Sequence, residues 1–226
     1  MRSRSFAILA LALSIGGASV ANAGAGPAPA SHPALVSTRA LVAKLAKSGR
    51  GEVPVTVSRG DPLGGPDHVD EGRLSLEPPN RVRLDFAATG ERIALRGDGG
   101  EWVQPQARQM VKIRREQAGL AAWLWEVFLA GGADAFVEQA AVSQAAGSQA
   151  AGERRYTLEP RDREAGLPGR ISIQIDASGL PLEVRFTDTD GTEAKYRFHA
   201  WSFRSARGAK AFTLSAPHGY ATVDLP

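Results

Sequence analysis

The sequence contains no cysteine. Disulfides, thiol nucleophiles and cysteine-based metal sites are thereby excluded, and so is an N-terminal cysteine carrying a lipid anchor. Histidine is scarce: His32, His68, His199 and His218 are the four, and none stands in a ligand spacing such as H-E-x-x-H. Surface positions are expected for them, His32 and His68 in loops and His199 on the polar face of a strand. There is no G-x-S-x-G elbow, and no glycine-rich loop leads from a strand into a helix. Asp188 and Asp190 read as turn residues, as does the Arg96-Gly97-Asp98 tripeptide. No catalytic residue, metal or cofactor is expected. Nor is there a large charge excess. The formal net charge is +3; Arg2 and Arg4 supply two of these charges, leaving about +1 without them. Basic and acidic residues interleave along the chain, so a nucleic-acid partner is not expected. Beyond residue 23 no apolar run approaches the roughly 18 residues of a membrane-spanning helix.

What is present begins with an export signal. Arg2 and Arg4 precede an apolar stretch from Phe6 to Val20, and Ala21-Asn22-Ala23 is a small-x-small cleavage site. The expected organisation is a signal peptide over 1–23, a flexible Ala/Gly/Pro-rich segment over 24–33, and one domain over 34–226. A helix follows Pro33, with Ser31 as a possible N-cap and Gly49 as its stop. Its apolar stripe is Leu35, Val36, Leu41, Val42 and Leu45. Val53, Val55 and Val57 then alternate as a strand, in which Pro54 suggests an edge or a bulge. Asp61 to Glu71 reads as a loop.

The stretch from Gly72 to Ile113 is the clearest in the chain. Leu74 and Leu76 face one way. Val82, Leu84 and Phe86 share a face opposite Arg81, Arg83 and Asp85, and Ile93 and Leu95 repeat the pattern. Such alternation sets one face of an antiparallel sheet against something apolar and leaves the other in water. Pro78-Pro79-Asn80, Ala88-Thr89-Gly90 and Asp98-Gly99-Gly100 are the turns; Trp102–Val103 and Met110–Ile113 open and continue the next strands. Ala118 to Leu129 changes period. Leu120, Trp123, Leu124, Val127 and Phe128 recur at helical spacing before Gly131-Gly132. It reads as a core helix packed on the sheet, or as a lid over an apolar cavity.

Phe136–Val142 and Tyr156–Leu158 read as strands around a loop holding a tandem SQAAG repeat. Alternation returns in Ile171, Ile173 and Ile175, then in Leu182, Val184 and Phe186, then in Tyr196 and Phe198, with Asp-Gly turns between. Phe212 and Leu214 are taken as the last strand and the remainder as a tail. The fold class expected is mainly β: an unclosed antiparallel β-barrel of about 10–11 strands, with two helices filling or lidding its concave apolar face.

The order of these pieces resembles the LolA-like periplasmic lipoprotein carriers. The likeness lies in GRLSLEPPNRVRLDF, in IALRGDGGEWVQP and the strand from Gln109, in LPLEVRFTDTDGTEAKYRFHAW, and in FTLSAPHGYATVDL. It covers most of the chain from about Leu35 onward. Where the carriers commonly place an arginine before the conserved proline, this chain has Pro78 before Pro79. The resemblance implies a monomeric carrier that binds acyl chains of lipoproteins, or another lipid cargo, between an inner-membrane ABC transporter and an outer-membrane receptor. The alternative is a periplasmic lipid-sensing regulatory module on the same fold. The residues expected in the cavity or lid are Leu74, Leu84, Phe86, Leu95, Trp102, Leu120, Trp123, Leu124, Val127, Phe128, Ile173, Phe186 and Phe198.

Overall fold

The computed structural model describes residues 34–60, 67–97, 99–114, 125–140, 152–161, 170–187 and 193–224. Within them a helix, α1 (Val36–Ser48), leads into a sheet of 13 strands. The strands are β1 (Arg50–Arg59), β2 (His68–Glu77), β3 (Arg81–Phe86), β4 (Arg92–Arg96), β5 (Gly99–Gln104), β6 (Gln109–Arg114), β7 (Phe136–Ala140), β8 (Arg154–Pro160), β9 (Arg170–Ile175), β10 (Pro181–Thr187), β11 (Glu193–Phe198), β12 (Ser202–Arg204) and β13 (Ala221–Asp224). A π-helical turn spans Trp125–Leu129 and a 3-10 turn Ala209–Phe212.

The spatial order is β13-β6-β5-β4-β3-β2-β1-β11-β10-β9-β8-β7, with β12 also on β1. Pairing is antiparallel throughout except that β13 lies parallel to β6. The two ends of the sheet are not joined, so the barrel is unclosed, as the alternation suggested. Two meanders, β2–β6 and β7–β11, meet on β1. Short turns join β2 to β3, β3 to β4 and β5 to β6, and Asp176-Ala177-Ser178-Gly179, between β9 and β10, is a tight hairpin closed by Gly179 N–H donating to the Asp176 carbonyl at 3.0 Å.

Several sequence expectations need correction. The strand count is higher than expected. β2 begins at His68, so the supposed loop ends earlier and His68 belongs to the sheet. Pro54 marks no edge, because β1 is the centre of the sheet. The β11–β12 break lies opposite it, and its carbonyl there accepts His199 N–H at 3.0 Å. A strand residue's N–H and C=O point the same way, so the missing donor faces a gap where none is needed. Leu182 falls at a bulge and is only half-buried. On α1, Leu35, Leu41 and Leu45 are buried with Ser37 and Thr38, whereas Val36 is exposed. Gly49 ends the helix at φ +96° as expected.

The largest departure concerns the outer face of β2–β6, which was expected to lie in water. Ala94, Val103 and Met110 on that face are buried against Leu214, with Ala216 and Tyr220 beside them. Phe212 and Leu214 are therefore not strand residues. They belong to a strap, residues 205–220, that crosses the outside of the sheet before β13 closes the chain. Ion-paired side chains of the sheet hold it. Arg83 donates to the Ala211 carbonyl and Arg96 to the Phe212 carbonyl, each at 2.8 Å, and Glu101 accepts Leu214 N–H at 3.2 Å. Glu77, fully buried, accepts Arg207 N–H at 2.7 Å and Gly208 N–H at 3.0 Å, and pairs with Arg81.

Candidate functional site

The register puts one continuous apolar face on the concave side. Gly51, Val53, Val55 and Val57 of β1 lie opposite Leu76, Leu74, Gly72 and Asp70 of β2, and these lie beside Val82, Leu84 and Phe86 of β3. Leu95 and Ile93 of β4 then face Gly100 and Trp102 of β5, which face Ile113 and Val111 of β6. On the other side of β1, Phe198 and Tyr196 lead to Val184 and Phe186, then to Ile173 and Ile171, then to Tyr156 and Leu158. Gly72 gives this face its local shape: a Cβ there would lie 3.1 Å from the Phe86 ring and 2.9 Å from the Asp85 carbonyl oxygen.

Among the described residues, helical pieces and not a second sheet cover the face. Val127 and Phe128 of the π-helical turn are fully buried, and Phe128 meets the Phe198 ring edge-on at 5.8 Å between centroids. α1 packs with Leu41 and Leu45 inward. Its close approach depends on Gly51, where a Cβ would sit 2.9 Å from Leu45 Cδ2. Lys44 lies over the Phe203 ring at 5.3 Å, and Phe203 stacks on Trp201.

α1 has no capping side chain of its own. Its first N–H groups are taken by Glu138 of β7, about a hundred residues away. The two carboxylate oxygens accept Val36 N–H at 2.7 Å and Ser37 N–H at 2.9 Å. Thr38 Oγ1 donates to the Gly131 carbonyl, which also accepts Leu35 N–H. The start of α1 is thus tied to the segment that follows the π-helical turn. Glu138→Ala is expected to cost about 1–2 kcal/mol, the worth of a charged acceptor at a helix N-terminus. Glu138→Gln should recover part of it, because an amide oxygen still accepts. Urea denaturation measures both, and an alanine variant as stable as the wild type would show that this tie does not hold the helix.

One end of the concave face is polar. Arg59 lies opposite His68 in the register, one step from Asp70, and Glu91 follows the β3–β4 turn with its carbonyl accepting Phe86 N–H. His68 Nε2 is 3.1 Å from Asp70 Oδ2, and Arg59 Nη1 is 4.0 Å from the same oxygen. Burial pushes the Glu91 carboxyl above its ordinary range; the Trp102 indole N–H and the Arg59 guanidinium pull it back. Next to it, Gln104 and Gln109 bond each other through their side chains.

Of the residues expected in the cavity or lid, Leu74, Leu84, Phe86, Leu95, Trp102, Ile173, Phe186 and Phe198 all lie on this one concave face. Val127 and Phe128 lie in the covering turn, all ten being buried. Leu120, Trp123 and Leu124 lie outside the described residues. Sequence reading missed Arg59, His68, Asp70, Glu91 and Glu138. The phase was available for three of them, since a step of two on from Val57 reaches Arg59. Counting back by twos from Leu74 through Gly72 reaches Asp70 and His68, but a glycine carries no apolar signal to continue the pattern.

No model of a protein family matches the sequence, and no curated protein matches it. Solved structures do. The chain is similar to a LolA superfamily protein from Nitrosomonas europaea at 11% identity and TM-score 0.43, over 78% of this chain and 97% of that one. It is similar to a conserved protein from Thermus thermophilus at 12% identity and TM-score 0.46, over 82% and 97% of the two chains. It is also similar to the lipoprotein LppX from Mycobacterium tuberculosis at 14% identity and TM-score 0.33, over 72% and 94%.

Proposed function

We propose that this protein is a periplasmic carrier that takes acyl chains, of lipoproteins or of another lipid, onto the concave face of its half-barrel for transfer from the inner to the outer membrane. The observation that carries this reading is the kind of cover the face has. A broad apolar surface spanning β1–β6 and β8–β11 meets helical segments, which can move aside without breaking a strand ladder. A second sheet could not. The export pattern of residues 1–23 supports the location. The order of motifs from Leu35 onward supports a transporter as donor and a membrane receptor as acceptor.

The energetics suit such a task. Each methylene kept from water is worth about 0.8 kcal/mol, so a sixteen-carbon chain gains roughly 12 kcal/mol on entering an apolar site. Release then needs an opposing term. Contacts between Phe128 and Phe198, regained when the cover closes, offset part of that affinity. No bond is made or broken, and no step requires a nucleophile.

Native mass spectrometry of the chain purified from envelope extracts, without detergent, tests the reading. A fraction carrying the added mass of an acylated molecule is expected. A chain that emerges empty, and fails to take up a fluorescent fatty acid afterwards, would remove the carrier role.

A further inference from the structure

The concave face is not uniformly apolar, and the change occurs along single rows. One row runs Leu158, Ile171, Phe186 and Ala194, and continues across the β1–β11 seam into Arg59 and His68. Its first four residues are hydrocarbon and its last two are polar. Asp70, on the same face, is largely buried, with 13% of its side chain exposed. A site for an acyl chain alone has no use for these groups, which sit together at the half-open end of the apolar face.

A second observation points to the same place. Trp102 is 4% exposed, and its Nε1–H finds no hydrogen-bond acceptor within normal geometry. The nearby Glu91 carboxyl feels this donor. Glu91 is near enough to feel the donor but closes no bond of normal geometry with it, so an incoming oxygen atom would complete what the carboxylate leaves unfinished.

We propose that Arg59, His68, Asp70 and Glu91, with the Trp102 N–H, form the subsite for the polar head of an amphiphilic cargo, and that the head is neutral and hydroxyl-bearing. This rests on the carrier reading and adds the class of cargo. The charges select it. Arg59 and Asp70 offset each other, and His68 leans on Asp70. A phosphate head would bring negative charge onto Asp70 and Glu91; an ammonium head would face Arg59. A hydroxyl suits both kinds of group, donating to Asp70 or Glu91 and accepting from Arg59 or Trp102. The apolar part of the row then receives the start of the chain.

The test uses the full chain freed of lipid and three probes with the same twelve-carbon chain, each below its micelle concentration. They are 1-monolauroylglycerol, monododecyl phosphate and dodecylammonium chloride, titrated by calorimetry. The monoglyceride is expected to bind about tenfold tighter than either charged probe, the worth of one hydrogen bond to a charged group. Asp70→Asn combined with Glu91→Gln leaves Arg59 unopposed, and should turn the preference toward the phosphate probe. Arg59→Gln, made separately, should turn it toward the ammonium probe. Equal affinities in the wild type, a wild-type preference for either charged probe, or variants that rank the probes as the wild type does would each overturn the head subsite and leave the acyl carrier standing. If no probe binds at all, the carrier reading falls and the subsite with it.

Discussion

Phe128→Ala is expected to lower the stability of the empty protein by about 3–5 kcal/mol, the usual cost of emptying a buried phenylalanine site, and to raise its affinity for an acyl chain. The two effects share a cause. Phe128 is fully buried and meets Phe198 edge-on at 5.8 Å. On the proposed reading, the surface that Phe128 covers in the empty state is the surface cargo must reach. Truncation removes a contact from the empty state that the loaded state has already given up. Urea denaturation measures the first effect, and competition with a fluorescent fatty acid the second. A loss of stability with no gain in affinity would make Phe128 an ordinary core residue and the π-helical turn a fixed plug.

Glu77→Ala should cost about 3 kcal/mol, because it leaves Arg81 without its partner and two backbone donors without an acceptor. Glu77 is buried and receives Arg81, Arg207 N–H and Gly208 N–H together. Its removal should loosen the outer strap as well as the sheet. Trypsin reports this separately from denaturation, because Arg204, Arg207 and Lys210 lie in or beside that segment. Faster cleavage there is expected in the variant under conditions where the rest of the chain stays protected. Glu77→Gln keeps one acceptor oxygen and should fall between. Unchanged cleavage would assign the strap's hold to Arg83, Arg96 and Glu101 instead.

The sheet was legible in the sequence because its signal is strong and redundant. Every inward strand residue from Leu74 to Leu95 is apolar at a spacing of two, and a one-residue slip would expose all of them. The strap was not legible, for a related reason. Phe212 and Leu214 also stand two apart, so they carry a strand's signature while lying flat against a sheet. What identifies them is the burial of Ala94, Val103 and Met110 on a face otherwise filled with arginine and glutamate, and that is a property of pairing across strands. Glu138 escaped for another reason. A helix cap is usually sought within a few residues of the helix start, and this one arrives from β7. Pro54 misled because proline excludes a ladder hydrogen bond only on the side its nitrogen faces, and sequence does not say which side that is.

The meeting of both meanders on β1 also bears on the order in which the chain can form. Strands β2 to β6 pair with sequence neighbours, and so do β7 to β11. The seam is different: Thr56 meets His199 at a separation of 143 residues. Local hairpins close within about microseconds, whereas a contact so distant carries the entropy of a long loop. The two halves can therefore take shape independently and dock late. Until they do, both long edges of the seam, β1 and β11, expose unpaired backbone with alternating apolar side chains, the pattern that recruits strands from other molecules. An exported chain would cross its most aggregation-prone interval just before its concave face comes into being.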